Sequence, residues 1–235
     1  MDASDPRRAS TVLLLRPSAD GTEVLMVRRS RSATFMGNAR VFPGGVVEPA
    51  DDSETARAVV RWSGPEEEFA WRAAALRELA EEAGIVVGQP GSSAVGPDDP
   101  APVVYEQARR AGIVFDADRL VYLANWVTPA GLPRRYDTRF YVTIVGGETV
   151  PVADDREVFD PVWVAPAEAI ARGDAGEWDV EFPTRVVLWM IDGCDGPDAV
   201  VAAATSARRI ERIEPVLDMG DNGARVLLPT RGERP

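Results

Sequence analysis

Arg77-Glu78-Leu79-Ala80-Glu81-Glu82-Ala83-Gly84-Ile85 sets three carboxylates on one flank of a helix that ends at a glycine. Glu78 stands three and four positions before Glu81 and Glu82, so the acids lie along about one turn. Like charges at that spacing repel by about 0.2–0.5 kcal/mol per pair. Folding alone gives little reason for the grouping. A hard divalent cation takes carboxylate oxygens and turns the repulsion into attraction. Helix formers run from Glu66 to Ala83, with apolar residues at Phe69, Leu76, Leu79 and Ala83, and Gly84 is the natural stop. Upstream, Phe42-Pro43-Gly44-Gly45 reads as a tight turn whose glycines permit close backbone approach.

Composition narrows the chemistry. The chain has 235 residues, 45% of them apolar, with one cysteine, no histidine and a formal net charge of −12. That is enough apolar material for a real core, and the length suits one medium domain with additions. Without histidine, acid–base work falls to carboxylates, phenol side chains or metal-bound water. Cys194 alone forms no internal disulfide and is a poor basis for a thiolate zinc site. The net negative charge argues against nonspecific nucleic-acid binding, and no apolar run approaches the ~20 residues of a membrane span. Met1 to Ser10 carries no apolar signal core, and the Gly-Glu-Arg-Pro end is not a peroxisomal address. The expected compartment is the cytoplasm.

Strands are expected over Ser10–Leu15 and Glu23–Arg28, joined at Asp20-Gly21, and later over Leu120–Val127, Thr138–Val145 and Val158–Val164. Short helices are expected within Ser53–Trp62 and Tyr105–Ala111, from Pro166, over Phe182–Ile191 and over Pro197–Ala207. Residues 88–102 read as a surface loop, and the tail from Ile210 to Leu228 as a strand pair around Asp221-Asn222-Gly223. The expected organisation is a flexible tail over 1–10, one α+β domain over 11–207 with insertions near 52–68 and 88–118, and an extension over 208–235.

A diphosphate substrate needs cations on its oxygens, a positioned water and a backbone close enough to hold both. The acids and the Gly-Gly turn supply such parts, and here the chain resembles the Nudix hydrolases. Their signature is Gly-x5-Glu-x7-Arg-Glu-U-x-Glu-Glu-x-Gly-U, with U bulky and aliphatic. Residues 77–85 match its second half at every fixed position, and Gly45 matches the opening glycine. Asp51 stands where the family has glutamate, and 25 residues separate it from Arg77 where the signature has seven. Asp51 reads as a helix cap or an exposed acid, and Asp52, Glu54 or Glu66 to Glu68 are alternative partners for Arg77.

An extended loop of this kind is similar to the branch related to coenzyme A diphosphatases. Arg28-Arg29-Ser30, Phe35-Met36-Gly37 and Val41-Phe42-Pro43-Gly44-Gly45 resemble its upstream motif, although Gly37 stands one residue further from Phe42. Trp126-Val127-Thr128-Pro129, the stretch from Pro133 to Phe140, and Phe182-Pro183-Thr184 resemble its later blocks. The resemblance implies a Nudix-type α/β/α sandwich with a mixed sheet between helices. It implies Mg²⁺ or Mn²⁺ held by Glu78, Glu81, Glu82 and the Gly44 carbonyl, with Arg77, Glu81, Glu82 and Glu157 in catalytic roles. Glu157 is read equally well as a surface acid. Arg28, Arg29, Arg40, Arg139 and Gly45 are the candidates for substrate binding.

The implied activity is cleavage of the diphosphate bond in a nucleoside diphosphate linked to another moiety, foremost coenzyme A or acyl-CoA. ADP-ribose, nucleotide sugars and dinucleotides are the alternatives, as is a non-catalytic nucleotide-binding regulator. The expected partner is a small-molecule diphosphate, with neither nucleic acid nor membrane; a homodimer is left open. Trp126, Trp163 and Trp189 are expected in the core or the pocket wall. Whether the segment 52–68 caps the pocket or is decoration is left open; if it caps the pocket, shortening it should change substrate preference.

Overall fold

Val12-Leu13-Leu14-Leu15 has no polar residue to turn outward, and a strand of this kind is covered on both faces. The computed structural model describes residues 5–19, 21–31, 37–88, 102–207, 209–220 and 223–227, and shows that arrangement. Strand β1 (Arg7–Ser18) is central. Val12 and Leu14 pack into one core, Leu13 and Leu15 into another on the opposite face.

The strand is longer than expected from Ser10–Leu15, and the boundary drawn for a flexible tail at residue 10 falls inside it. A parallel ladder from Arg7↔Tyr136 to Leu15↔Ile144 recruits the polar start of the strand. Strand β2 (Gly21–Arg29) returns antiparallel along the second half of β1. Asp20, Phe35 and Met36 lie outside the described residues. The short β3 (Arg40–Val41) pairs with β2, and β4 (Gly44–Val46) pairs with the first half of β1.

Helix α1 (Glu54–Val59) is capped by Ser53, whose Oγ accepts from the Ala56 N–H at 3.1 Å, and leads into β5 (Val60–Arg61). Helix α2 (Phe69–Ala83) carries the acids and lies against β1. It starts after the expected Glu66 because Glu66–Glu68 form a separate 3-10 turn behind Pro65. It stops at Gly84, in the left-handed conformation with φ 64°. Helix α3 (Pro102–Ala111) and β6 (Phe115–Asp116) come next. Most of the expected 88–102 loop lies outside the described residues.

The sheet is completed by β7 (Val121–Val127), β8 (Tyr136–Ile144) and β9 (Val158–Val164). Helices α4 (Pro166–Asp174), α5 (Phe182–Ile191) and α6 (Pro197–Ser206) cover the face opposite α2. Strand β10 (Arg212–Ile213) extends the sheet beside β7. A hairpin of β11 (Val216–Gly220) and β12 (Gly223–Leu227) ends the described chain, as the sequence leads one to expect; residues 221 and 222 of its turn lie outside. The sheet order is β10-β7-β8-β1-β2-β3, with β4 on β1 and β9 on β2. The result is an α+β sandwich with a mixed sheet between helices.

The two insertions form one unit. Strand β5 pairs in parallel with β6, α1 packs on α3, and their apolar residues join the α2 core. This packing explains why nearly every residue of α2 is buried, Arg72 and Arg77 included. Arg72 donates to the Ala117 and Leu120 carbonyls at 3.2 and 2.6 Å and stacks 3.8 Å from the Trp62 ring. Among the described residues no helix is long and apolar enough to cross a membrane.

Candidate active site

Strand β4 is made of the two glycines and Val46, so no side chain stands between its backbone and the end of α2. A Cβ on Gly45 would run into the Glu78 carboxylate, and one on Gly44 into the Ser10 carbonyl and Thr11. The glycines therefore let the acids close onto the strand. The Gly44 N–H donates to Glu82 Oε2 at 2.8 Å.

Arg77 organises the other two acids. Its five N–H groups are all used. They reach Asp51 Oδ1 at 2.8 Å and Oδ2 at 3.2 Å, Glu78 Oε1 at 2.8 Å, Glu81 Oε2 at 2.9 Å and the Val46 carbonyl at 2.9 Å. Asp51 is thus the partner of Arg77, fully buried, and the reading of an exposed acid is overturned. It is also a cap, accepting from the Glu48 N–H at 2.7 Å. The alternative acids are engaged elsewhere or exposed. Asp52 and Glu66 pair with Arg57 and Glu68 pairs with Arg72, while Glu54 and Glu67 lie at the surface.

A further partner comes from the insertion. Tyr105 on α3, itself buried, donates its hydroxyl to Asp51 Oδ1 at 2.6 Å. Tyr105 thereby holds Asp51, Asp51 holds Arg77, and Arg77 holds Glu78 and Glu81. Among the described residues neither 52–68 nor 88–118 contributes to the cleft wall. The described part of these segments is a buttress behind α2.

The acids are short of positive charge. Burial raises the Glu78 pKa and pushes that of Glu82 well above the usual carboxylate range, where the Glu78 charge adds to it. Glu81 is pushed up to about 7 by burial, against the opposing pull of Arg77. Glu81 Oε1 is buried without a hydrogen-bond partner among the described residues, as is the Oγ of Ser10, the residue that pairs in register with Gly45. Carboxylates in excess of nearby cations, a glycine cradle and an orphaned carboxylate oxygen fit a hard divalent cation. The set is not preassembled, however. Among the described residues no three acidic side chains stand together at metal-binding spacing. Arg77 holds oxygens of Glu78 and Glu81, and the Gly44 N–H holds one of Glu82.

These residues line one end of a cleft of about 790 Å³. Glu157, just before β9, lines it too, and its charge raises the pKa values of both Glu78 and Glu82. Asp154 fixes this segment by accepting from the backbone N–H groups of Arg156, Glu157 and Val158. Arg29 also lines the cleft, and its Nε is buried without a partner among the described residues.

The other three arginines do not line it. Arg28 pairs with Asp160 at 2.7 Å, Arg40 stacks 4.9 Å from Trp178, and Arg139 lies 4.2 Å from the Trp71 ring on the α2 side of the sheet. Alternation along β8 gives the reason for Arg139, since Thr138 and Phe140 take the cleft face. Arg29→Ala is accordingly expected to weaken anion binding in the cleft at least tenfold, and Arg139→Ala to leave it within about twofold, in titrations with inorganic pyrophosphate.

Arg7, Asp154 and Arg156 also line the cleft and were not foreseen from the sequence. Arg7 lay in what reads as a polar tail, and the Asp154 turn has no hydrophobic periodicity to reveal it. Trp126 and Phe182 supply an edge-to-face pair in the wall, 5.9 Å apart. Trp163 is half-buried, but Trp189 is 51% exposed, contrary to expectation.

A mixed sheet between helix layers, with the acids of one helix held against a glycine strand at the end of a deep cleft, defines an α+β domain with an acidic binding site. The chain belongs to the NUDIX family: the model described as NUDIX domain matches residues 5–185. The Caenorhabditis elegans protein named "Putative nudix hydrolase 7" is 32% identical over 75% of this chain and 57% of its own length. Acyl-coenzyme A diphosphatase NUDT19 of Gallus gallus is 30% identical over 64% of this chain and 56% of its own. The chain therefore spans little more than half the length of these relatives. The crystal structure of a NUDIX hydrolase from Alicyclobacillus acidocaldarius superposes with a TM-score of 0.71 at 27% identity, covering 84% of this chain and 96% of that one.

Proposed function

We propose that the chain is a divalent-metal-dependent hydrolase of the diphosphate bond in a nucleoside diphosphate linked to another moiety, with coenzyme A or an acyl-CoA as the leading substrate. The observation that carries this reading is the convergence of Glu78, Glu81, Glu82, Glu157 and Arg29 on one end of a cleft that also carries an aromatic and aliphatic wall. The name of the NUDT19 relatives supports the coenzyme A assignment.

Glu78, Glu81 and Glu82 would hold Mg²⁺ or Mn²⁺. Such an ion withdraws charge from phosphoryl oxygens and makes water a stronger acid. Arg29 binds the diphosphate through its buried Nε–H. Glu157 accepts the proton of the attacking water at its carboxylate. The water oxygen bonds to one phosphorus, the bridging P–O bond breaks, and two phosphomonoesters leave with release of a proton. Coenzyme A gives adenosine 3′,5′-bisphosphate and a phosphopantetheine.

The test is chromatography of products from coenzyme A, acyl-CoA, ADP-ribose, nucleotide sugars and dinucleotides with Mg²⁺ or Mn²⁺, and with EDTA. Adenosine 3′,5′-bisphosphate formed only with metal is the expected result. Binding without turnover under both metals would overturn the reading in favour of a nucleotide-binding regulator.

A further inference from the structure

The family match ends at residue 185, yet the cleft wall includes Pro215 and Leu217. The segment that carries them is fastened at several points. Strand β10 pairs Arg212↔Asn125 and Ile213↔Trp126, so the chain leaves the sheet beside a cleft residue. Arg212 donates to Asp137 at 3.0 Å and to Glu214 at 3.2 Å, and Glu214 also pairs with Arg135. Pro215 follows directly and is buried. A segment clamped in this way is a wall rather than a loose tail.

The cleft is long and chemically divided. Its floor crosses β4, β1, β8 and β7 in turn, through Val46, Ala9, Thr138 and Trp126. At about 4.8 Å per strand this is roughly 14 Å, with β10 one spacing further. The acids and Arg29 occupy the β4 end. At the other end the wall holds the Trp126–Phe182 pair, Pro215, Leu217 and Leu132, the last 37% exposed, with Glu181 preceding Phe182. Leu217 is half-buried. Apolar side chains left partly open in a cleft favour an apolar ligand. Trp126 adds a polar detail: its indole Nε1–H is buried with no partner among the described residues. A ligand carbonyl is an acceptor of the right kind for it.

We propose that the segment from Arg212 to Leu217 is a specificity wall that receives the hydrocarbon tail of an acylated diphosphate substrate, with Leu217 limiting the tail length accepted. This rests on the reading of the acidic end as a diphosphate hydrolase and adds which residues read the far end of the substrate. The diphosphate lies at the acids, the linker spans the sheet, and the acyl chain packs between the aromatic pair and Leu217.

The test compares kcat/KM for free, butyryl- and palmitoyl-CoA in the wild type, Leu217→Trp and Leu217→Met, with Tm measured for each. Leu217→Trp is expected to lower the palmitoyl-to-free ratio at least tenfold and the butyryl-to-free ratio less. Leu217→Met, of similar volume, is expected to keep both ratios within about twofold. An unchanged ratio in Leu217→Trp, or an equal loss on all three substrates, overturns the wall while leaving the hydrolase reading intact. Competition at this end by nucleosides rather than by acyl chains also overturns it. No turnover of any of the three by the wild type sinks the hydrolase reading and the wall together.

Discussion

Glu82→Gln is expected to lower kcat by about 10²–10⁴-fold while Tm moves by no more than a few degrees. The exchange keeps shape and the acceptor oxygen for the Gly44 N–H, which Glu82 meets at 2.8 Å. It removes one of the charges that burial and Glu78 already make unfavourable at this place. Folding therefore loses little, and cation binding loses much. Kinetics at saturating Mg²⁺ together with thermal unfolding check both halves. Unchanged turnover would remove Glu82 from the site, and a collapsed Tm would make it structural.

Asp51→Ala carries the largest expected effect on stability, a loss of about 3–5 kcal/mol, because removal of one partner strands a buried charge. Arg77 would keep Glu78 and Glu81 but lose two of its five hydrogen bonds. Tyr105→Phe tests the next link. Deletion of the hydroxyl that donates to Asp51 at 2.6 Å is expected to cost about 1–3 kcal/mol. If Tyr105 acts through the Asp51–Arg77 chain, Mn²⁺ affinity falls in Tyr105→Phe as well, measured on the protein without substrate. A stability loss with unaltered Mn²⁺ affinity would confine Tyr105 to packing.

Local chemistry made much of this fold legible. Strand β9 and helix α5 coincide with the expected Val158–Val164 and Phe182–Ile191, because turn residues and Pro183 bound clear apolar runs. The acidic helix was legible for the same reason, with Gly84 as its stop. What escaped was set by distant residues. Asp51 is buried by Tyr105, 54 positions away, and paired by Arg77, 26 positions away. Nothing near Asp51 in the chain announces either. The arginines were harder still. Strand alternation tells that Arg139 and Phe140 point to opposite faces, but only the finished sandwich tells which face holds the cleft. The role of the insertion was not legible because length alone does not say whether a segment covers a pocket or supports a helix from behind.

The cation site at the end of α2 is tested most directly by the Tm of the protein against pH, in EDTA and in Mg²⁺ or Mn²⁺. Glu78, Glu81 and Glu82 all have raised pKa values in the fold, so the folded state binds more protons than the unfolded one above the ordinary carboxylate range. Their contribution to stability is complete below about pH 4.5 and is lost as pH rises, for Glu81 through about 7. In EDTA, Tm should fall between pH 5 and 8 by ~2–4 °C for each ~1 kcal/mol lost. A divalent ion that binds the ionised acids should restore it, with the largest gain at pH 8. A Tm that ignores Mg²⁺ and Mn²⁺ at every pH would contradict the assignment.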